Sequence, residues 1–484
     1  MTTALQTGPK AANDRNFPQE RFGAAPAAAG DDSSHVAAIP QAHRHGPVTM
    51  GLLWITMVTS FPSLLIGFEW YKQGICLKDV IFGVLTSCAL VLVYYVPICL
   101  VAARTGLSFK HLSETVFGAL GSKFLVIPLI FIFLGWYTVC ALLMSDAFCG
   151  VFASKAMLPA LAAFFSFAMA FNNFFGFKGV ANFAKFFGGP VLICWILFSF
   201  FKIAPEFSTA LSLKSTGSAT AITALTSIMT FTIGFAIWGN EADYWRHSKP
   251  KVLPLVLALS GALLFGEIIF PVTGWLIAFK TGIVDSARAT SFMTEFSFGG
   301  LELLAIVVLA VSYFAANDSN LYALTHAFEG FAKLSHKTLV FYIALVGALA
   351  SFLMAKMGAA SALEQMCALN SVVLPVATVL IVAEYLLFRG LMKAPAVSSE
   401  KLRIPAFGSF SAGVALGLLT SGVLPGLSYW HIGLPPLQAW LLALVIYIPW
   451  RTQEIRRIQA NICLAPEKKL LTAADLASAA QSSH

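Results

Sequence analysis

The chain contains about twelve stretches of roughly 20 predominantly apolar residues, the length that an α-helix needs to cross a bilayer. Because the connections between them are short, and 58% of the residues are hydrophobic against 11% charged, most of the mass belongs to one membrane domain. The sequence therefore predicts an all-α polytopic membrane protein with about twelve transmembrane helices. We number the stretches as segments one to twelve; they begin near Met50, Val80, Phe124, Leu158, Gly189, Ala221, Leu253, Leu301, Leu339, Leu369, Phe407 and Leu437.

A polar, alanine-rich tail precedes the first segment, and a second polar tail follows the last. We therefore divide the chain into an N-terminal tail over residues 1–47, predicted to be disordered, a transmembrane domain over 48–452 and a C-terminal tail over 453–484. If the N-terminus is cytoplasmic, the inner loops carry more Lys and Arg than the outer loops. This distribution predicts an inner (plasma) membrane protein with both tails in the cytoplasm.

The net charge of +8 indicates contact with anionic membrane lipid. No polybasic run is present, so a nucleic-acid partner is not expected. The eight cysteines are scattered, mostly within apolar segments, without a CxxC motif or a paired Cys/His spacing. Neither a metal site nor a cofactor is predicted from them.

Segment eight contains four consecutive polar residues, 317–320, in an otherwise apolar stretch. Lipid tails offer such side chains no hydrogen bonds, so they must face a protein interior or a wet cavity. Asn317 and Asn320 lie three residues apart and share a helix face, where two amides could bind a small polar molecule. The alternative is a hydrogen-bonded contact between helices.

Segments one and six both contain residues that interrupt helices. Pro62 removes a backbone donor from segment one, and Gly234 and Gly239 weaken segment six. Equivalent interruptions five segments apart indicate a transporter built from inverted repeats, with its binding site at the membrane midplane. Individually, Pro and Gly are common in membrane helices, so only the matching interruptions in segments one and six together indicate a repeat.

Aromatic residues near these interruptions could stack on a planar ligand. Trp136 lies in segment three, and Phe235 and Trp238 lie in segment six. Stacking of an aromatic side chain on a nucleobase contributes about 1–3 kcal/mol. Each residue could instead have a packing role, since the chain holds 42 phenylalanines.

Blocks of residues spread over most of the membrane domain resemble the nucleobase–cation symporter-1 (purine–cytosine permease) family, and in particular its cytosine permease branch. Each block is weak alone, but their order and spacing match. The blocks are Ala103-Arg104-Thr105-Gly106-Leu107, Gly135-Trp136, Ala242-Asp243-Tyr244-Trp245-Arg246, Asn317-Asp318-Ser319-Asn320-Leu321-Tyr322-Ala323, Ser335-His336-Lys337-Thr338-Leu339, and Pro375 with Ala383-Glu384-Tyr385.

The resemblance implies a LeuT-type fold, with two inverted repeats of five helices and two further C-terminal helices. It also implies that a substrate stacks between Trp136 and an aromatic residue of segment six. Gly234 stands where that aromatic is expected, so Phe235 or Trp238 would take its place. Asn317 or Asn320 would supply hydrogen bonds, and Cys140 replaces a glutamine that relatives can carry.

The resemblance also bears on the coupling ion. Sodium-coupled members carry hydroxyl side chains just before the asparagine of segment eight, where this chain has Ala315 and Ala316. We therefore expect proton coupling, or uncoupled transport, rather than sodium coupling. Carboxyl groups in apolar surroundings hold a proton readily and could carry it.

Four carboxyl groups are the candidate proton carriers. Asp318 is the deepest of them, whereas Glu241 and Asp243 could instead form ion pairs with Arg246, and Glu69 could form an exposed pair with Lys72.

The leading hypothesis is a secondary active transporter that imports a nucleobase, cytosine or a related purine or pyrimidine, by alternating access. One alternative is another planar heterocycle, such as hydantoin, allantoin or a pyrimidine-type vitamin precursor. Others are sodium-coupled nucleobase uptake and, more distantly, a nucleobase sensor that does not transport. An enzyme is not expected, because no nucleophile motif or phosphate-binding loop is found.

Overall fold

The computed structural model describes residues 38–59, 61–151, 155–216, 221–284, 296–329, 334–357, 362–394, 400–424, 426 and 432–481. Within these ranges the chain is helical apart from its connecting loops. The extended pairings found there are two isolated bridges, Ala38 with Leu107 and His45 with Ser248. The prediction of an all-α protein is confirmed.

We number the α-helices of the described residues in chain order. They are α1 (Pro47–Val58), α2 (Phe61–Lys72), α3 (Leu77–Thr105), α4 (Phe109–Val151), α5 (Leu158–Ala168), α6 (Gly176–Phe183), α7 (Gly189–Ile203), α8 (Phe207–Ser212), α9 (Ala221–Ala236), α10 (Glu241–Trp245), α11 (Val252–Leu263), α12 (Phe270–Thr281), α13 (Glu302–Glu329), α14 (His336–Met357), α15 (Ala362–Val382), α16 (Ile404–Thr420) and α17 (Pro435–Gln481). Three π-helical segments lie within or beside the longer helices, at Ala184–Gly188, Leu264–Ile269 and Ala383–Leu391.

Seven helical stretches of the described residues are long and apolar enough to cross a membrane, and the bent pair of α1 and α2 makes an eighth. Helices α9 and α16 are apolar but shorter. The stretch Lys155–Ser212 contains both segment four and segment five: α5 packs against α4 and α14, whereas α7 packs against α1 and α12. Together with α17, these helices account for the twelve predicted segments.

Helices of the first five segments pack against helices of the next five. Segment one packs against segment seven, α1 with α11 and α2 with α12, and segment six packs against segment two, α9 and α10 with α3. Segments three and eight also pack together, as do segments four and nine. Segments three and eight, like segments four and nine, hold equivalent positions in two five-segment repeats. The contact of segment one with segment seven is likewise equivalent to that of segment six with segment two, which is the arrangement that an inverted repeat predicts.

Segment one is broken between α1 and α2, whose axes differ by 46°. At the break, Thr59 has an extended backbone conformation. The backbone amide of Phe61, which has no partner within its own helix, donates a 3.0 Å hydrogen bond to Ser312 Oγ in α13. A side chain of segment eight thereby satisfies a backbone group that the break exposes.

Segment six is broken between α9 and α10, at the second of the two glycines that the sequence indicated. Gly239 has φ +77°, a left-handed conformation that favours glycine. Gly234, the first, lies inside α9, where a Cβ atom would come within 1.9 Å of Cys367 O. Its role is close packing against α15, and the helix continues through it.

The described part of the predicted N-terminal tail, residues 38–46, packs against the membrane domain. The Arg44 guanidinium is 5% exposed and donates hydrogen bonds to the carbonyl oxygens of Ile39 and Ala103. Residues 1–37 lie outside the described residues. At the other end, α17 continues from Pro435 past the predicted domain boundary at residue 452.

The backbones of α2 and α12 are in direct contact at Gly67. A Cβ atom on Gly67 would lie 1.9 Å from Pro271 O, so Gly67→Ala must separate two packed helices. We expect a cost of about 1–3 kcal/mol, measured as a lower melting temperature in detergent. Gly261→Ala in α11 is the matched control, because a Cβ atom there meets nothing within 4 Å. Equal melting temperatures for the two variants would contradict this packing.

Candidate substrate-binding cavity

A narrow buried cavity lies beside the breaks in segments one and six. Its walls come from the end of α1, from α4, from α9 and the break that follows it, and from α13 and α15. The lining residues are Met57, Phe133, Trp136, Cys140, Phe235, Trp238, Ala316, Asn320 and Asn370. The structure thus brings together five of the six residues predicted to bind substrate, and Asn317 is the one outside the lining.

The aromatic walls of this cavity form two pairs. Trp136 and Phe235 meet edge to face, with ring centroids 5.6 Å apart and an interplanar angle of 84°. Phe133 and Trp238 are stacked, with centroids 5.8 Å apart at 28°. A planar ligand between Trp136 and Phe235 would require one of these rings to turn, because the two rings are not parallel.

In segment six, an aromatic residue that lines the cavity is Phe235, one residue after the position where an aromatic was expected. Gly234 cannot be replaced by an aromatic, since its Cα faces the backbone of Cys367. Phe235, the next residue, lines the cavity with Trp238. The structure therefore leaves both predicted substitutes facing the same space.

Unpaired polar atoms belong to three of the lining residues. Within the described part of the chain, Trp238 Nε1 and Asn370 Oδ1 are buried without a hydrogen-bond partner. Asn320 Nδ2 donates to Asn317 Oδ1 at 3.2 Å, while the side-chain oxygen of Asn320 accepts no hydrogen bond from the described residues. A donor and two acceptors are consequently available to a ligand.

The other amide of the tetrad holds helices together. Asn317 Nδ2 donates to Tyr137 O at 3.1 Å and lies 3.0 Å from Met169 Sδ. This is the contact between helices that the sequence left open as the alternative. Asn317 therefore ties α13 to α4, and its Oδ1 orients the cavity residue Asn320.

Two of the predicted proton carriers lie at the break in segment six. Glu241 Oε1 accepts the backbone amides of Trp238 and Gly239, both at 2.8 Å, and Glu241 Oε2 accepts the hydroxyl of Tyr94 at 2.9 Å. These contacts satisfy the unwound backbone.

Asp243 Oδ1 accepts the backbone amide of Phe109 at 2.8 Å, and its Oδ2 accepts Asn240 Nδ2 at 3.2 Å. Among the described residues, neither Glu241 nor Asp243 forms an ion pair with Arg246.

The remaining two predicted carriers lie outside the cavity lining. Asp318 is buried and accepts Asn172 Nδ2 at 2.7 Å and Asn173 Nδ2 at 3.4 Å, which ties α13 to the turn after α5. Glu69 pairs with Lys72 at 3.5 Å, and its side chain is 32% exposed. Glu69 thus forms the exposed pair that the sequence left open.

Ala315 and Ala316 lie where α1, α13 and the π-helical segment Ala184–Gly188 meet. Ala316 lines the cavity, whereas Ala315 packs near Gly188 together with the methyl group of Thr56. The hydroxyl of Thr56 donates to Leu53 O in its own helix at 2.7 Å. The two alanines bring no side-chain oxygen to this junction.

A second cavity shares one wall, Phe133, with the first. It is lined by Ser108, Phe109, Lys110, His111, Val126, Leu129, Phe133, Asn240, Asp243, Arg246, Ala323, His326 and Ala327. Its polar lining includes Arg246, whose Nε and Nη1 atoms have no partner among the described residues. Within the described part of the chain, Phe133 is the one residue that lines both cavities.

Three lining residues, Met57, Phe133 and Asn370, were not predicted from the sequence. Asn370 was detectable, because it is an amide inside the apolar segment ten and meets the criterion that singled out the tetrad of segment eight. Its Nδ2 donates to Gly234 O at 2.5 Å and to Ile237 O at 2.8 Å, which holds the last turn of α9. Met57 and Phe133 carry no comparable signal in an apolar chain.

Comparisons with known proteins agree with this architecture. A family described as permeases for cytosine/purines, uracil, thiamine and allantoin matches residues 38–401. No curated protein sequence matches the chain significantly.

Solved structures of transporters share the fold. Mhp1, a nucleobase-cation-symport-1 family transporter, in a closed conformation with bromovinylhydantoin bound, is 18% identical over 87% of this chain and 95% of its own, with a TM-score of 0.68. Inward-facing Mhp1 is 16% identical over 88% and 93%, with a TM-score of 0.65. A Na⁺-coupled sialic acid symporter in a substrate-bound outward-open state is 14% identical over 84% and 90%, with a TM-score of 0.60.

These neighbours confirm the predicted LeuT-type fold, and the matching family consists of permeases, which confirms that the chain is not an enzyme. The chain belongs to the nucleobase–cation symport-1 family and is a secondary symporter of nucleobase-like compounds.

Proposed function

We propose that the protein imports a planar nitrogen heterocycle, cytosine or a related pyrimidine or purine, across the inner (plasma) membrane by alternating access. The observation that carries this proposal is the cavity beside the two helix breaks, which combines aromatic walls with unpaired hydrogen-bonding atoms. A planar base has two apolar faces and a polar edge, so it matches both features.

The unpaired atoms favour a ligand whose edge carries both donors and acceptors. The Trp238 Nε1–H group would donate to a ring carbonyl or ring nitrogen, and Asn370 Oδ1 would accept from a ring or exocyclic N–H. Asn320 adds a further acceptor through its amide oxygen. A buried polar atom that a ligand leaves unpaired costs about 1–3 kcal/mol, so these atoms discriminate against apolar aromatics.

Other planar heterocycles satisfy part of the same pattern. Hydantoin, allantoin and pyrimidine-type vitamin precursors also alternate N–H and C=O groups, and Mhp1 is a family member with a bound hydantoin. Cys140 stands where relatives can carry a glutamine, so the cavity lacks one amide that could distinguish among these substrates. We favour a nucleobase because two aromatic pairs provide ring faces for stacking.

For the coupling ion we favour the proton over sodium. Sodium binds through several oxygen ligands in protein sites, and Ala315 and Ala316 contribute no side-chain oxygen where α1 and α13 meet. Sodium-coupled uptake is the alternative, and the similar sialic acid symporter is Na⁺-coupled.

Transport would pass the substrate from the first cavity to the second. The second cavity lies by Ser108, Phe109 and the motif Ala242-Asp243-Tyr244-Trp245-Arg246, which the predicted topology places on the cytoplasmic side. Rocking of helices around the breaks would then open the passage at Phe133. A sensor that binds the base without moving it would show binding but no counterflow in proteoliposomes.

Trp136→Ala tests the stacking that the proposal requires. Loss of about 1–3 kcal/mol of stacking energy predicts binding of cytosine weakened roughly 5- to 150-fold, measured by uptake of labelled cytosine at several concentrations. Trp450→Ala is the control, because Trp450 is 44% exposed and lies outside the cavity. Uptake by Trp136→Ala equal to that of the control, at equal membrane expression, would contradict the stacking role.

Trp238→Phe tests whether the unpaired indole N–H serves the substrate. A smaller aromatic ring remains against Phe133 and no protein hydrogen bond is lost, so we expect a smaller fall in melting temperature than in the control below, with cytosine affinity reduced by about 1–3 kcal/mol. Trp275→Phe is the matched control: its Nε1 donates to Ile75 O at 2.9 Å, so this variant should lose stability and keep its affinity. The reverse pattern would contradict the assignment.

A further inference from the structure

Glu267 is a buried carboxyl group that none of the roles above uses. It lies in the π-helical segment Leu264–Ile269 of segment seven and is 1% exposed. Within the described residues, its Oε1 has no hydrogen-bond partner and no salt bridge engages the side chain. A carboxylate left unpaired in such surroundings costs several kcal/mol, so the neutral acid is the form that the site accommodates.

The elements packed around Glu267 supply no positive charge among the described residues. Helix α3 brings Cys88 and Tyr95 within electrostatic range of it, and α15 brings Cys367. The hydroxyl of Tyr95 is engaged with Ala236 O. Helices α1 and α11 contain no titratable side chain. In α12, Lys280 pairs with Glu206; in α7, Lys202 donates to Phe296 O and Cys194 is exposed.

The segment that carries Glu267 touches the break in segment one. A Cβ atom on Gly266 would lie 2.2 Å from Val58 O and 2.6 Å from Thr59 Oγ1, so the two backbones are in direct contact. Thr59 Oγ1 is itself buried without a partner. Movement of the break during alternating access would therefore act directly on the segment that carries Glu267, and π-helical segments often occur at functional sites.

The four carboxyl groups considered earlier are already engaged. Glu241 accepts three hydrogen bonds, Asp243 and Asp318 each accept two, and Glu69 has an exposed basic partner. Ionisation of Glu267, by contrast, requires a change in its surroundings, such as entry of water. That requirement couples its protonation to the conformation of the break.

We propose that Glu267 is the proton-binding site of the transport cycle, a proposal that rests on proton-coupled symport as proposed above. The neutral acid holds its proton while the break is closed around it. Opening toward the cytoplasm admits water, the carboxylic O–H bond breaks, and the proton leaves with water as the carboxylate forms. The carboxylate takes up a proton from outside water when the protein next opens outward, so one proton enters per cycle.

Proteoliposomes with labelled cytosine test the ion and the residue separately. With choline in place of sodium, an inward proton gradient should drive accumulation by the wild-type protein. Glu267→Gln should lose this accumulation and retain cytosine counterflow, because the amide keeps the shape of the side chain and cannot release a proton. Glu206→Gln is the control: Glu206 forms a surface pair with Lys280, and this variant should behave as wild type.

The outcomes separate the two proposals. Accumulation by the wild type under a sodium gradient alone would refute proton coupling, and with it the role of Glu267. Wild-type accumulation in choline with equal accumulation by Glu267→Gln would refute the role of Glu267 and leave proton-coupled import intact.

An infrared measurement requires neither transport nor a substrate. At a pH where exposed carboxyl groups are ionised, the purified wild type should show the carbonyl stretch of a protonated carboxyl group, and Glu267→Gln should lack that band. If Glu267→Gln does not fold, Glu267→Asp takes its place and should displace the band. A band that is absent from the wild type, or unchanged in the variant, would overturn the assignment.

Discussion

Every backbone hydrogen-bonding group within a bilayer must find a partner inside the protein, and the two broken helices depend on this constraint. In segment six, Glu241 accepts the amides of Trp238 and Gly239, while Thr378 donates to Gly239 O at 2.8 Å. In segment one, the first amide of α2 is satisfied by a serine of α13. Side chains of α10, α13 and α15 therefore satisfy backbone groups at the two breaks.

The same arrangement explains where a ligand can bind. Polar side chains must approach the breaks to satisfy the backbone, and atoms that the backbone does not use remain available. Asn370 shows both roles, because its Nδ2 donates to two carbonyl oxygens of segment six while its Oδ1 has no partner among the described residues. The breaks thus create a polar site within an apolar fold, and Glu267 beside the first break extends this reasoning from the substrate to the ion.

Much of the fold and part of the cavity could be predicted from the sequence. Segment count, the two interruptions and the aromatic Trp136 follow from local composition and spacing, and Asn320 was detectable as a polar residue at membrane depth. What the sequence could not distinguish is which polar side chains serve the backbone. Asn317 and Asn320 lie less than one helical turn apart, yet Asn320 lines the cavity whereas Asn317 binds the backbone of α4.

The roles of the carboxyl groups depended on contacts between distant segments. Glu241 and Asp318 are polar residues in apolar surroundings by sequence, but their partners lie far away in the chain, such as Tyr94 and Asn172. Glu267 was not predicted as a proton carrier, because it is a single carboxyl group in segment seven without a motif around it. Its distinguishing property is the lack of a partner among the described residues, which only the three-dimensional arrangement reveals.

A structure of the protein determined with cytosine tests the central claim most directly. The account predicts the base in the cavity beside the two breaks, with its ring against Trp136 and Phe235 and its polar edge within hydrogen-bonding distance of Trp238 Nε1 and Asn370 Oδ1. Cytosine bound elsewhere, or bound in this cavity with those two atoms still unpaired, would contradict it.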